Sequence, residues 1–361
     1  MDLQSYSLDA LDDPRDVLHR TVQTLVEGGI AILPLENGPA GCQMATVPPP
    51  EPDLLPRASL LVGSVERAFD WLPDLTTVQA RLVTRSWPGP VVFRVADDDW
   101  TLAPVLPRAV RAMVADADGL AIRVSRSAVV DDILALLPAP LIAAEEGRWR
   151  ERAAIELIDP AAPSLRPATV VRLQSGEGGG YDILREGAVS KAELLGDAGM
   201  EIVFVCTGNT CRSPLAEAVL RQAAAQELGL PPERVADAGL TVRSVGLAAT
   251  DGTPASADSV DVARQHGLDL TGHASTAATL EGIGRADLVF TMTQGHRAAI
   301  LSQMPELAET VLVLAPDGRD VSDPIGMGPA AYAACFEEIR EAIRQRLPAI
   351  LDELSSGREV V

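Results

Sequence analysis

Aromatic residues are scarce in this chain. They make up 3% of its 361 residues, so its cores must be built from Ala, Val, Leu and Ile. Lysine is almost missing: Lys191 is the only one, and the other basic residues are arginines. Four cysteines, Cys42, Cys206, Cys211 and Cys335, do not make a disulfide framework. Four histidines, His19, His266, His273 and His296, show no spacing that suggests zinc, and read as surface or helix-end residues. No apolar stretch reaches membrane-spanning length. The N-terminus lacks the basic and apolar regions of a signal peptide. Lys/Arg runs are absent too, and the net charge is −21, with 29 acidic against 18 basic side chains in residues 1–198 and 22 against 12 beyond. Neither half invites non-specific binding to nucleic acid or to an anionic membrane. The expectation is a cytoplasmic protein with reduced thiols.

What is present is enough for two domains of ordinary size, with 47% hydrophobic residues. Composition shifts at Gly196-Asp197-Ala198-Gly199-Met200, and the boundary is placed there. The Gly-rich stretch Ser175–Gly180 lies between two strand-like runs, Ala168–Leu173 and Tyr181–Leu184, and reads as a long hairpin turn within the first domain. Pro48, Pro49, Pro50 and Pro52 mark an exposed loop. The second half alternates strands and helices. Strands are expected at Ile202–Val205, Thr241–Leu247, Ala286–Met292 and Val311–Leu314. Helices are expected at 214–228, Pro254–His266, Arg297–Gln303 and Ala330–Leu354, the last bent at Pro348. This alternation predicts a parallel sheet covered by helices on both faces, with ligands at the carboxyl ends of its strands.

The most informative segment is Cys206-Thr207-Gly208-Asn209-Thr210-Cys211-Arg212-Ser213-Pro214. It follows the apolar run Ile202-Val203-Phe204-Val205, which has the character of a strand buried on both faces. Gly208 and Asn209 can take left-handed backbone angles. Ser213 and Pro214 read as the cap and first residue of a helix whose inner face is Leu215, Ala218 and Val219. Amides of such a loop converge at a helix N-terminus and bind an anion. Their field, with Arg212, favours an anionic sulfur at Cys206. Arg212 can fork two hydrogen bonds onto phosphate oxygens. Ser213 can give its hydroxyl hydrogen to the sulfur when that becomes a leaving group. The competing reading, two cysteines packed as small hydrophobes beside a surface arginine, does not account for the whole string in this context.

A thiolate nucleophile needs a proton donor for the leaving group. Asp323, in Val321-Ser322-Asp323-Pro324-Ile325-Gly326, follows the strand Val311–Leu314 by one loop and belongs at the same sheet edge. Asp320 is its neighbour and reads as a turn or cap residue. Cys211 is a candidate partner for a protective disulfide with Cys206, or a packing residue.

These motifs resemble the low-molecular-weight protein tyrosine phosphatases over residues 200–355. The resemblance rests on CTGNTCRSP, Ser244-Val245-Gly246-Leu247, Gly272-His273, Ala286–Met292 and Asp323-Pro324. It implies a doubly wound α/β sheet, a phosphocysteine formed on Cys206, oxygens held by Arg212, and Asp323 as acid and then as base. It also implies phosphate binding by Thr207, Gly208, Asn209, Thr210, Cys211 and Ser213, with Asn209 bracing the loop. No metal and no cofactor is required, and the partners are phosphorylated proteins. Family members that act on phosphotyrosine carry aromatic residues after Asp-Pro, where this chain has Ile325 and Gly326, and a bulky aliphatic residue where it has Thr210. The threonine form is similar to the protein-arginine phosphatase branch, so phosphoarginine is favoured over phosphotyrosine. A thioredoxin-coupled arsenate reductase shares the fold, but needs further mobile cysteines. Cys335, in an Ala-rich helix, reads as core.

Residues 12–195 resemble the YrdC-like threonylcarbamoyl-AMP synthase domain. The matching segments are Leu25–Pro34, Trp87-Pro88-Gly89-Pro90, Leu120–Val124, Thr169–Val171 and Ile183–Ser190. This resemblance implies a twisted mixed α/β sheet with a concave face for a nucleotide or small ligand. The functional segments depart from the family. Leu35-Glu36-Asn37-Gly38 replaces a Pro-Thr motif, Val47–Leu55 is proline-rich and acidic instead of basic, and Ala143-Ala144-Glu145-Glu146 replaces Ser-Ala-Asn. Thr169, Arg123 and Arg185 are the remnants. A degenerate domain is therefore expected. The alternatives are a bifunctional protein with threonylcarbamoyladenylate synthase activity in tRNA modification, and a binding module with an inert Cys206.

Overall fold

The computed structural model describes residues 3–48, 51, 57–96, 106–145, 147–161, 166–176 and 179–355. Pro49, Pro50, most of the Val47–Leu55 segment and Glu146 lie outside these. Two compact units are present, within Met1–Asp197 and within Ala198–Ser356.

The first unit is built on one mixed sheet. Its strands lie in the order Gln4–Ser7, Ala153–Ile158, Ile30–Leu35, Gly38–Met44, Leu141–Ala144, Ser59–Val62, Gly119–Val124, Val91–Val95, Thr169–Leu173 and Tyr181–Arg185. Parallel and antiparallel pairs alternate irregularly along it. Helix Arg15–Val26 carries Val17, Leu18, Thr21 and Leu25 on one stripe, and all four are buried. That stripe joins Val130, Ile133 and Leu134 of helix Ala128–Leu136 over Leu33, Leu35, Leu61 and Leu141 of the sheet. Thr169–Leu173 and Tyr181–Arg185 pair antiparallel, as expected of a hairpin.

In the second unit four strands are all parallel, in the order Leu240–Gly246, Met200–Cys206, Leu288–Thr291, Val311–Val313. The first strand in the chain is internal, with the second on one side and the third on the other. The winding direction therefore reverses at the carboxyl end of Met200–Cys206, the place where such sheets bind ligands. That strand is buried on both faces by simple alternation. Ile202 and Phe204 enter a core shared with Leu215, Val219 and Leu220 of helix Arg212–Leu228 and Phe336, Ile339 and Ile343 of helix Pro329–Ser355. Val203 and Val205 enter the opposite core with Ile283 and Ile300. Phe204 and Phe290 stack with ring centroids 5.8 Å apart, one of the few aromatic contacts among the described residues.

Several boundaries differ from the sequence expectation. The helix expected over Pro254–His266 is Ala257–Gln265, because Ser256 caps it and Pro254 is bridged to Ala274. The helix expected over Arg297–Gln303 is Gln294–Leu301, capped by Thr293. No helix among the described residues is long and apolar enough to cross a membrane.

Candidate active site

Strand Met200–Cys206 ends on the cysteine, and five residues separate it from the start of helix Arg212–Leu228. The intervening loop is held by Asn209, a non-glycine residue with φ 54°. Gly208 was expected to share the left-handed region but does not; Asn209 alone takes it, and its side chain explains why the cost is met. Nδ2 of Asn209 donates to Ser213 Oγ and to Ser244 Oγ, both at 2.9 Å. Its Oδ1 accepts from Thr276 N at 2.8 Å. Its carbonyl lies 2.7 Å from His273 Nε2. The Asn209 side chain and its contacts to Ser213 and Ser244 are buried, where an unmade hydrogen bond is expensive. Gly246 makes the close approach possible: a Cβ there would lie 2.7 Å from Thr207 O and 2.8 Å from Asn209 N.

The Cys206 sulfur accepts from Asn209 N at 3.2 Å and lies 3.0 Å from Ser213 Oγ. Ser213 is not the helix cap. Cys211 occupies that position, and the Ser213 hydroxyl is turned inward to the sulfur and to Val245 O. Pro214 accordingly sits inside the first turn, where it needs no donor. Arg212, nearly buried, donates Nη2 to Asp323 Oδ2 at 2.6 Å and Nη1 to Val321 O at 3.3 Å. Asp323 is 49% exposed beside an arginine that is 6% exposed, so the pair forms a wall of an open site. The acid loop is pinned from both sides: Val321 N donates to Met292 O, and Ser322 N and Oγ both reach Glu338. Asp320 caps helix Gln294–Leu301 by accepting from Gln294 N at 2.7 Å.

Thr207, Thr210 and Cys211 lie on the same loop. Thr210 is half-buried, and its carbonyl accepts from Ser256 N. Cys211 Sγ lies 3.3 Å from Tyr332 Oη and 3.4 Å from Ser256 Oγ, and all four cysteines are free thiols. Burial pushes the Cys335 thiol up to about 12. Burial first, and then the hydrogen bond to Cys211, does the same for Tyr332. Ile325 is 66% exposed, and its amide donates to Asp323 Oδ1.

Two histidines read as surface or helix-end residues belong here instead. His273 holds the Asn209 carbonyl. His296 Nε2 lies 2.9 Å from Thr207 Oγ1, and its Nδ1 lies 3.0 Å from Thr293 Oγ1. Burial, and then the Arg212 guanidinium, hold the His296 ring below the ordinary histidine value, against Asp320 and Asp323. Sequence spacing could not place them, since 64 and 89 residues separate them from their partners. The signals the sequence did hold are the Gly272-His273 pair of the family resemblance and, for His296, Thr293 three residues before it, a cap pattern after a strand. Behind the loop, a polar groove of about 450 Å³ is lined by Glu217, Arg221, Ser244, His273 and Thr276. Among the described residues no group of three or more His, Cys, Asp or Glu is arranged to hold a metal ion.

The family model described as "Low molecular weight phosphotyrosine protein phosphatase" matches residues 201–358. A probable low molecular weight protein-tyrosine-phosphatase, EpsP, of Ralstonia nicotianae is 33% identical over 150 residues, covering 41% of this chain and 94% of the relative. A protein-arginine-phosphatase of Bacillus subtilis is 36% identical over 150 residues, covering 40% and 93%. Another protein-arginine-phosphatase, of Geobacillus stearothermophilus, is 35% identical over 159 residues, covering 43% and 93%.

Proposed function

The chain belongs, through residues 201–358, to the low molecular weight protein-tyrosine/arginine phosphatase family of cysteine-dependent hydrolases, and from that premise we propose that it removes phosphate from phosphoarginine in preference to phosphotyrosine. The observation that carries this is the acid itself. Asp323 receives a guanidinium at 2.6 Å, that of Arg212, and stands at a rim where exposed Ile325 offers no ring to stack on a phenol. A carboxylate so placed suits a guanidinium leaving group, and the Thr210 hydroxyl suits its polar edge. The two arginine-phosphatase relatives support the same choice.

In this reading the phosphoryl group enters the loop and Arg212 turns from Asp323 to its oxygens. The Cys206 thiolate forms the S–P bond as the P–N bond breaks, and Asp323, released by Arg212 and protonated from solvent, gives that proton to the departing nitrogen. Asp323 then takes a proton from water as the water attacks phosphorus. Inorganic phosphate leaves and the thiolate is restored, with Ser213 donating to it. Loop amides carry much of the stabilisation of the equatorial oxygens. The test is kcat/KM for a phosphoarginine peptide against a phosphotyrosine peptide, with Cys206→Ser as blank. Phosphotyrosine turned over tenfold more efficiently overturns the preference.

For the first unit we propose a YrdC-like fold that has lost synthase activity. What supports this is Arg123, 1% exposed, with its guanidinium bonded to Glu36 at 3.0 Å, Glu145 at 2.9 Å and Asn37 at 2.8 Å. A cation so neutralised is not free to grip a triphosphate, and the two glutamates repel one. Thr169 is likewise occupied, with Gly187, Val189 and the Val189 carbonyl. ATP-dependent release of pyrophosphate in the presence of threonine and bicarbonate would overturn this reading and favour the bifunctional one.

A further inference from the structure

Helix Gln294–Leu301 starts at Thr293, whose Oγ1 accepts from His296 N at 3.1 Å. A hydroxyl that caps in this way still has its own hydrogen to give, and Nδ1 of the same histidine is 3.0 Å away. On the other side of the ring, Nε2 is 2.9 Å from Thr207 Oγ1. Thr207 directly follows the nucleophile, and its hydroxyl has no other partner among the described residues. Asp320 fixes the same helix end through Gln294 N, so the ring is held from a rigid support.

We propose that His296 is a positioning residue for the phosphate cradle: it takes the Thr293 hydrogen on Nδ1, donates Nε2–H to Thr207 Oγ1, and so leaves the Thr207 hydroxyl hydrogen free to be given to a phosphoryl oxygen. This rests on the phosphatase reading of the same site. The opposite tautomer would take the Thr207 hydrogen for itself and turn that oxygen's lone pairs towards an anion, which is repulsive. A neutral ring is required for Nδ1 to accept. Burial and the Arg212 guanidinium favour it, against the opposing charges of Asp320 and Asp323. The relay adds a side-chain donor to a cradle otherwise made of amides and Arg212, and ties that donor to the helix that Asp320 caps.

The experiment uses the full chain with an aryl phosphate as substrate and inorganic phosphate as probe. His296→Ala and Thr207→Val each lower kcat/KM about tenfold and weaken phosphate binding in parallel, as expected for one lost hydrogen bond to a charged group. The double variant is no worse than Thr207→Val alone. His296→Gln, whose amide Nε2–H has similar reach, recovers most of the loss. Two results overturn the relay: losses that multiply in the double variant, or a His296→Gln variant as impaired as His296→Ala. A wild type without turnover would defeat the phosphatase reading instead. Equilibrium titration of phosphate across the same variants would still decide the relay.

Discussion

Asp323 has one oxygen on Arg212 and the other on the amide of Ile325. An asparagine keeps the shape and one of these contacts, but has no proton to transfer. Asp323→Asn should therefore leave most of the activity on aryl phosphates with acidic leaving groups. It should cost about 10²- to 10⁴-fold where the departing group must be protonated. The check is the dependence of kcat/KM on leaving-group basicity, which steepens in the variant; an unchanged slope removes Asp323 from the acid role. At this scale the site is most legible in the sequence where its chemistry is contiguous. Cys206, Arg212 and Ser213 lie within eight residues, and Asp323, proposed as the acid from its proline and its strand, stands 2.6 Å from Arg212. Asn209 was expected to brace the loop, and its four outside contacts show the means. Ser213 departs from the cap the sequence predicts because Ser-Pro has the same appearance whether the hydroxyl faces a backbone amide or a sulfur.

Among the elements, the strands and helices of the second unit were legible because their apolar periods are clean. Ile202 and Phe204 face one way and Val203 and Val205 the other, a pattern only a doubly covered strand requires. Helix starts were displaced by one to three residues, since caps such as Ser256 and Thr293 are recognised only once their acceptor geometry is seen. The last helix, Pro329–Ser355, continues through Pro348. Proline there cannot donate to the preceding turn, and intrinsically costs an interior helical position about 3 kcal/mol relative to alanine. Pro348 is exposed, so no packing contact offsets the lost bond. Pro348→Ala should raise stability by about 1–3 kcal/mol without changing turnover, since the residue is no part of the site. Chemical denaturation followed by circular dichroism would show it as a raised midpoint at constant slope; a lowered midpoint would mean the helix depends on its proline.

For the molecule as a whole, an excess of carboxylates of −21 makes acid the natural stress, but few of the acids matter. Glu341 is held down to about 2 by hydrogen bonds to Arg344 and Gln345, yet it stands exposed on a helix surface, where screening leaves such a pair little net worth. Glu36 is the opposite case. Burial opposes its charge, but Arg123, Ser125 and backbone contacts outweigh burial and keep it below the ordinary glutamate value. Its partner Arg123 is the largest fully buried side chain among the described residues. A depressed carboxylate contributes stability that is complete above its unfolded value and is lost as the pH falls through its folded one. Acidification below the usual glutamate range should therefore loosen the first unit as Glu36 protonates and leaves Arg123 short of countercharge. Glu36→Gln should impose the same loss at neutral pH, about 2–3 kcal/mol, towards the low end for a broken buried pair because Glu145 and Asn37 remain. The variant should also flatten the acid limb of the stability curve, since the group whose titration shapes it is gone. Denaturation midpoints of wild type and variant between neutral and acid pH supply the comparison. Two curves that stay parallel as the pH falls would show that some other carboxylate governs the acid response.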